Sequence, residues 1–313
     1  QVLGIREDDV VFSVAKMFFA YGLGNAMSFP MSVGATTVIF SGRPTPEIVL
    51  RIMAEEGPTV FCGVPTLFAA VVAEQEKAGT EPAHSIRICT SAGEALPREI
   101  GERWEKLWGA EIIDGVGSTE MLHIFLSNSP GDIVYGTSGL PVPGYEVRLV
   151  DEHDEDVADG EVGELLVRGP SSAEGYWNRR HKSMSTFEGH WTRTGDKYER
   201  DANGRFVYCG RTDDMFKVSG IWVSPFEVEH ALVEHPAVLE AAVVAKADAE
   251  DLVKPAAFIV LKDGAEAPDE TTLKDFVKTR TGMWKDPRWI DVVDDLPKTA
   301  TGKIQRFKLR EDG

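Results

Sequence analysis

Four polar, glycine-containing segments interrupt the apolar patterns of this 313-residue chain: "DGVGSTE" at 114–120, "WTRTGD" at 191–196, "GRTDDMFKVSG" at 210–220 and "PKTATGK" at 297–303. They gather hydroxyls, carboxylates, two arginines and lysines beside glycines. The last segment runs on as "PKTATGKIQRFKLR", a basic stretch in a chain whose formal net charge is -18. Such a stretch reads either as a solvated tail or as a grip on a negatively charged partner. The acidic field as a whole repels phosphate, so an anionic ligand needs a local cationic pocket. Each segment taken alone also reads as an ordinary turn.

The same acidity argues against nonspecific binding to nucleic acid or to an anionic membrane. A hydrophobic fraction of 42%, with seven tryptophans and fifteen phenylalanines, is that of a folded globular protein. Cys62, Cys89 and Cys209 are odd in number, widely spaced and without a CxxC pair, so neither a disulfide framework nor a zinc site is suggested. A reducing, cytoplasmic setting is expected. The most apolar region, "VVFSVAKMFFAYGLGNAMSFPMSVGATTVIF", is broken by Lys16, Pro30 and several glycines, which is too interrupted for a spanning helix. The chain begins at Gln1 and runs straight into a structured pattern, which leads us to expect a missing upstream part.

The elements that must position these groups fall into three stretches. In residues 1–130, apolar runs such as "PTVFCGVP", "SIRICTSAG" and "AEIIDGVGS" alternate with helical patterns such as "TPEIVLRIMAEEG" and "PREIGERWEKLW". That alternation predicts an α/β unit with a mainly parallel sheet, whose ligands bind at the carboxyl ends of the strands. Residues 131–212 change to short alternating strands, "YEVRLVD" and "GELLVRG", broken by glycine-rich turns, and predict a β-rich, barrel-like section. Residues 213–313 read as a small separate α+β domain, with Ser224, Pro225 and Glu227 forming a capping box ahead of the helix "SPFEVEHALVEHP".

The ordered combination of the four segments resembles the adenylate-forming superfamily of acyl-CoA synthetases, peptide-synthetase adenylation domains and luciferases, over essentially the whole chain. Within it, "KMFFAYGLGNAMSFPMSVGATTVI" and "DGVGSTEMLHIFLSN" look most like the benzoate-CoA ligase group. The resemblance implies an ATP-dependent enzyme with Mg²⁺ and coenzyme A as further participants. A carboxylate is joined to AMP with release of pyrophosphate, and the acyl group then passes to the CoA thiol. It implies a hydroxyl from Thr119 on the α-phosphate and Glu120 toward Mg²⁺. It also implies Gly93, Glu94, Ala95, Asp114 and Gly115 around the adenine, and Asp196 on the ribose hydroxyls with Arg211 nearby. Asp213 matches the hinge about which the small domain turns. Lys217, Ser219, Gly220 and Trp222 match the pantetheine tunnel, although Lys217 reads equally as a solvated lysine. Lys303 matches the mobile lysine that bridges substrate carboxylate and α-phosphate.

One departure from the superfamily concerns Val116, which stands where an aromatic residue is usual. An aliphatic residue there is shared by benzoate-type ligases and places Val116 on the aryl pocket. Phe19, Ala20, Tyr21 and Gly22, with Gly117, His123 and Ile124, complete the candidate wall. The stretch "SVAKMFFAYGLGNAMSFPMS" holds no carboxylate. A substrate ammonium would be left unpaired there, so an uncharged aromatic acyl group fits better than an amino acid. His123 lies three residues after Glu120, a spacing that would share one face of a helix. The family's phosphate-gripping loop matches nothing in residues 1–313. We therefore expect a C-terminal portion that adenylates poorly alone. A noncatalytic nucleotide- or acyl-binding fragment, or an enzyme loading another acceptor, remains as the alternative.

Overall fold

Proline at helix starts and glycine at helix ends frame the first half of the chain. The computed structural model describes residues 2–218, 221–250, 252–282, 284–298 and 304–311; Ser219, Gly220 and Lys303 lie outside the described residues. The chain enters through β1 (Val10–Ser13). It turns through α1 (Ala20–Leu23), a π-helical turn at Gly24–Ser28 and α2 (Phe29–Val33), then returns as β2 (Thr36–Val38). There follow α3 (Pro46–Glu56), β3 (Val60–Gly63), α4 (Pro65–Ala78), β4 (Ile88–Ser91), α5 (Arg98–Trp108) and β5 (Ile112–Gly117). The Thr45 hydroxyl caps α3 by accepting from the Ile48 amide, with Pro46 in the first turn. Gly57 and Gly79 end α3 and α4 in the left-handed conformation that a side chain resists.

With β6 (Ile124–Ser127) and β7 (Leu140–Pro141) the strands form, among the described residues, one sheet in the order β2-β1-β3-β4-β5-β6-β7. Strands β1 to β5 run parallel, and β6 and β7 are antiparallel additions. Every residue of β3 is buried, as a central parallel strand covered on both faces requires. Phe61 faces a core with α3, α4 and α5, while Val60 and Cys62 face a second one with Val11, Ile88 and Ile113. The first core centres on Trp104, whose ring stacks on Trp108 at 4.0 Å and meets Phe68 edge-on at 4.7 Å.

The β-rich stretch comprises β8 (Glu146–Val150), β9 (Gly163–Arg168), α6 (Arg180–Thr186), β10 (Phe187–Glu188), β11 (Trp191–Arg200) and β12 (Phe206–Arg211). Its sheet runs β10-β11-β9-β8, with β12 on β11. Met121, Phe125, Leu165, Val167, Tyr198 and Phe206 share its core. The last part contains the hairpin β13 (Phe216–Val218) and β14 (Ile221–Val223), then α7 (Pro225–Val233), β15 (Val238–Ala247), β16 (Val253–Leu261), α8 (Glu270–Thr281), β17 (Trp289–Val292) and α9 (Arg306–Glu311). Strands β15 and β16 are antiparallel. Strand β17 joins β16 in parallel after the α8 crossover. Ser224 caps α7 by accepting from the Glu227 amide, while the Glu227 carboxylate receives Lys285.

The chain divides into two compact units, one reaching Thr194 and including Tyr198–Tyr208, the other made of Gly195–Lys197 and everything from Cys209 onward. The fold is thus an α/β large unit with a β-rich part, and a small α+β unit. Sequence patterning divides the chain after 130 and after 212. In the structure residues 131–194 pack into the first unit, and the second begins at Cys209. Gly195–Lys197 join the second unit because the Gly195 carbonyl accepts from the Thr212 amide at 2.8 Å.

Candidate active site

Strand β5 ends in the first polar segment, so the β5–β6 hairpin carries it. Asp114 is 4% exposed on β5, and burial pushes its carboxyl up to about 7, against the opposing pull of the Leu96 amide. Leu96 donates to Oδ2 at 3.4 Å, whereas Oδ1 and Ser91 Oγ are buried without a hydrogen-bond partner. Gly93, at φ 101, Glu94 and Ala95 form the loop that leaves β4 beside Asp114, and the side of Gly93 where a Cβ would stand is open. The buried acceptor and the open backbone suit the amino group and flat face of a base.

The raised Asp114 pKa has a consequence for stability. The native carboxyl holds its proton up to about pH 7, whereas the unfolded one releases it near 3.8. The favourable contribution is complete below pH 4 and is lost as pH rises through 7. Asp114→Asn removes that loss. Its advantage over wild type should grow between pH 4 and 8 to on the order of 4 kcal/mol, read as the difference in unfolding free energy from urea denaturation at each pH. A constant difference across that range would contradict the assignment.

Residues Ser118 to His123 form a tight loop between β5 and β6, with Leu122 at φ 67. This corrects the helical spacing read between Glu120 and His123, since the antiparallel return of β6 leaves no room for a helical turn. Thr119 is exposed and its carbonyl accepts from the Leu122 amide. Glu120 is half-buried, its Oε1 accepting from the Tyr176 hydroxyl at 2.5 Å, and its carbonyl accepts from the Ala173 amide. Among the described residues no group of three or more His, Cys, Asp or Glu side chains converges as a metal cage. A lone carboxylate suits an ion that takes its other ligands from phosphate and water.

Around α1, Tyr21 and His123 stack at 5.6 Å, Phe29 meets His123 edge-on at 4.6 Å, and His123 Nε2 lies 3.3 Å from the Tyr21 carbonyl. Because a carbonyl only accepts, Nε2 carries the proton. Burial pulls the ring's pKa down to about 4, so His123 is neutral. The Tyr21 hydroxyl reaches the carbonyls of Gly63 and Thr90, at the carboxyl ends of β3 and β4, at 3.1 and 3.0 Å. A Cβ on Gly115 would come within 2.9 Å of Ile124 Cγ2, and one on Gly24 within 2.7 Å of His123 Nε2. The hairpin therefore brings Gly115, Gly117, His123 and Ile124 together with Tyr21. Phe19 packs on Phe18 at 4.4 Å, and Ala20 and the buried Gly22 continue α1. Val116 is half-buried against the core of the β-rich part.

In the small unit Asp196 Oδ1 receives Arg211 Nη1 at 2.9 Å, with Asp196 15% exposed. Gly195, at φ 73, leaves Arg211 the space a side chain would fill. Asp213 lies in the turn after β12, where the Asp214 and Met215 amides both donate to the Arg211 carbonyl at 3.1 Å. Lys217 and Trp222 face each other across the β13–β14 hairpin, with the ammonium 4.7 Å from the ring centroid. A separate cleft in this unit is lined by Lys254, Lys274, Lys278, Arg288 and Trp284, with Asp248 and Asp286 among them.

Residues 1–177 match the model of the AMP-binding enzymes, and residues 227–303 match that of the AMP-binding enzyme C-terminal domain. The chain belongs to the AMP-binding enzyme family. Among curated members it is 55% identical over 314 residues to the 4-hydroxybenzoate-CoA/benzoate-CoA ligase of Rhodopseudomonas palustris, covering 99% of this chain and 58% of that one. It is 58% identical over 312 residues to the benzoate-CoA ligase of Thauera aromatica, covering 99% and 59%. A solved benzoate CoA ligase from Burkholderia xenovorans LB400 superposes with a TM-score of 0.91 at 59% identity, over 99% of this chain and 62% of the other. The chain spans about three fifths of the length of these AMP-binding enzymes.

Three groups at the site escaped the sequence reading of this AMP-binding enzyme. Tyr176 reaches Glu120 across 56 positions, and no local pattern announces it. Phe29 joins the ring cluster because the π-helical turn at Gly24–Ser28 re-aims the chain. Asn128 ties the end of β5 to the following loop, donating to the Asp114 and Thr137 carbonyls and accepting from the Val134 amide.

Proposed function

We propose that the protein carrying this chain ligates benzoate, or a close relative, to coenzyme A through an acyl-AMP intermediate. The observation that carries this reading is the cluster of Tyr21, Phe29 and neutral His123, aromatic, without a carboxylate of its own, and set beside the close-packed glycines of the β5–β6 hairpin. An aromatic ring finds dispersion contacts there, and an ammonium finds no counter-charge. The names of the relatives, ligases of benzoate and 4-hydroxybenzoate, support the same substrate class.

In this reading Asp114 accepts from the adenine amino group and Asp196 from the ribose hydroxyls. Thr119 donates to the α-phosphate. Lys303 places an ammonium between the two anions that must react, lowering their repulsion as charge moves to pyrophosphate. Glu120, oriented by Tyr176, would hold Mg²⁺, which supplies charge neutralisation to the phosphates when bound. Asp213 serves as the turning point between half-reactions, Lys217 and Trp222 border the thiol arm, and the cleft beside Trp284, where four basic residues outnumber Asp248 and Asp286, would receive the phosphates of CoA.

A panel of benzoate, hydroxy-, amino- and fluorobenzoates and short fatty acids, assayed for CoA thioester formation, tests the reading. Benzoates should lead, with ring substituents separated by about 1 to 3 kcal/mol in specificity. Fatty acids outperforming every benzoate would remove the aryl assignment.

A further inference from the structure

Gly24 opens the π-helical turn at φ -60 and ψ -58, right-handed helical values that any residue adopts. Glycine gives up helix stability there that alanine would supply, so backbone conformation offers no reason for it. The neighbouring ring does. A Cβ on Gly24 would fall against Cδ2 of His123, 2.7 Å from its Nε2 and 3.0 Å from Phe29 Cε2. The imidazole edge thus fills the place of the missing methyl group. Gly22 differs: its Cβ would meet the Ala15 carbonyl at 2.5 Å and the Lys16 carbonyl closer still, a clash with backbone that no side-chain change relieves.

The His123 ring is held in this notch from several sides. Its Nε2 donates at 3.3 Å to the Tyr21 carbonyl, which also receives the Gly24 amide. Tyr21 stacks on the ring and Phe29 stands edge-on to it. Tyr21 has little freedom to yield, because its hydroxyl is bound to the Gly63 and Thr90 carbonyls. The His123 main chain is fixed as well, its amide on the Met121 carbonyl and its carbonyl accepting from the Ser118 amide. A methyl group at position 24 therefore drives the ring in one sense, away from α1 and the π-helical turn.

We infer that Gly24 is a positioning residue that sets acid specificity: the notch left by its missing side chain seats the His123 ring, and the depth of that seat sets the room for substituents on the aromatic acid. The inference rests on the proposed reading in which His123 borders the acyl group. A packing defect would slow every acid alike. A displaced ring slows those acids whose substituent lies on its side.

The test compares benzoate with the methylbenzoate isomers, as kcat/KM for CoA thioester formation. It uses the protein that carries this chain and its Gly24→Ala, His123→Ala and doubly substituted forms. Gly24→Ala should lower the value for at least one methylbenzoate, relative to benzoate, by about tenfold or more. His123→Ala should raise the same ratio. In the double form the penalty should vanish and the ranking should be that of His123→Ala alone, because the group that met the added methyl is gone. Stability should follow the same cycle: the urea midpoint lost in Gly24→Ala is recovered in the double form, whereas Gly22→Ala is not rescued by His123→Ala. If Gly24→Ala alone does not fold, the double form should fold and keep the His123→Ala ranking.

Where His123→Ala reorders the acids, three results overturn the inference and leave the acyl reading standing: a ranking unchanged in Gly24→Ala, a shift that persists in the double form, or a double form that does not fold. A ranking unchanged in His123→Ala overturns the reading of that cluster and the inference with it.

Discussion

Lys303→Ala, in the protein that carries this chain, should lose adenylation by about 10²- to 10³-fold, the scale on which removal of one preorganised charge partner acts, yet form thioester from supplied acyl-AMP at close to the wild-type rate. The reason is the order of charge movements. In the first half-reaction one anion attacks another, and a cation between them acts on the transition state more than on either ground state. In the second, a thiol meets an acyl phosphate whose pyrophosphate has already departed. Lys303→Arg should recover little, because a planar fork replaces a compact ammonium. Stopped assays of pyrophosphate release and of CoA thioester, run side by side, read the two arms. Equal loss in both would refute the assignment.

Gly117→Ala should disable turnover from a position that holds no reactive group. A Cβ there would stand 2.7 Å from Ile124 Cα and closer still to the His123 carbonyl. Both neighbours are backbone, so no rotamer change relieves the clash, and the β5–β6 hairpin must open. Overpacking of this kind costs about 1 to 3 kcal/mol, a shift that urea denaturation resolves. Activity should fall by about 10²-fold or more, because Glu120 and His123 ride on the displaced loop. Gly93→Ala provides the contrast: no atom stands within 4 Å of its Cβ, and only the strain of φ 101 applies. A Gly117→Ala variant with wild-type kinetics would show that the hairpin is not the frame of the acyl site.

The frame of the fold was legible where local chemistry agreed with tertiary packing. "TPEIVLRIMAEEG" contains its own start in Thr45 and Pro46 and its own stop in Gly57, and it forms α3 between them. The apolar runs around Val60, Ile88 and Ile112 become the central parallel strands because both faces of that sheet are covered. The loop after Gly117 was misread because three-residue spacing is a helical signal only where the chain is free to coil. Here β6 must come straight back along β5. The π-helical turn was likewise hidden: Pro30 has no N–H to give to the preceding turn, and the helix widens just ahead of it. Tyr176 on Glu120 and Arg306 on Glu229 span 56 and 77 positions. Contacts at that range are decided by topology rather than by any local pattern.

Tyr21 has one hydroxyl proton, and two main-chain carbonyls, from Gly63 and Thr90, already share it. Burial also keeps that phenol from ionising, since its pKa is raised well above the ordinary value. In the proposed acyl site this ring would therefore be chemically silent: it could touch a guest but not name it. Substrate preference in such an enzyme would drift through changes of contour at its neighbours, one methyl group at a time, with Tyr21 acting as a fixed strut between two strands. Lineages sharing this strut could part in the acids they accept without rebuilding the sheet beneath.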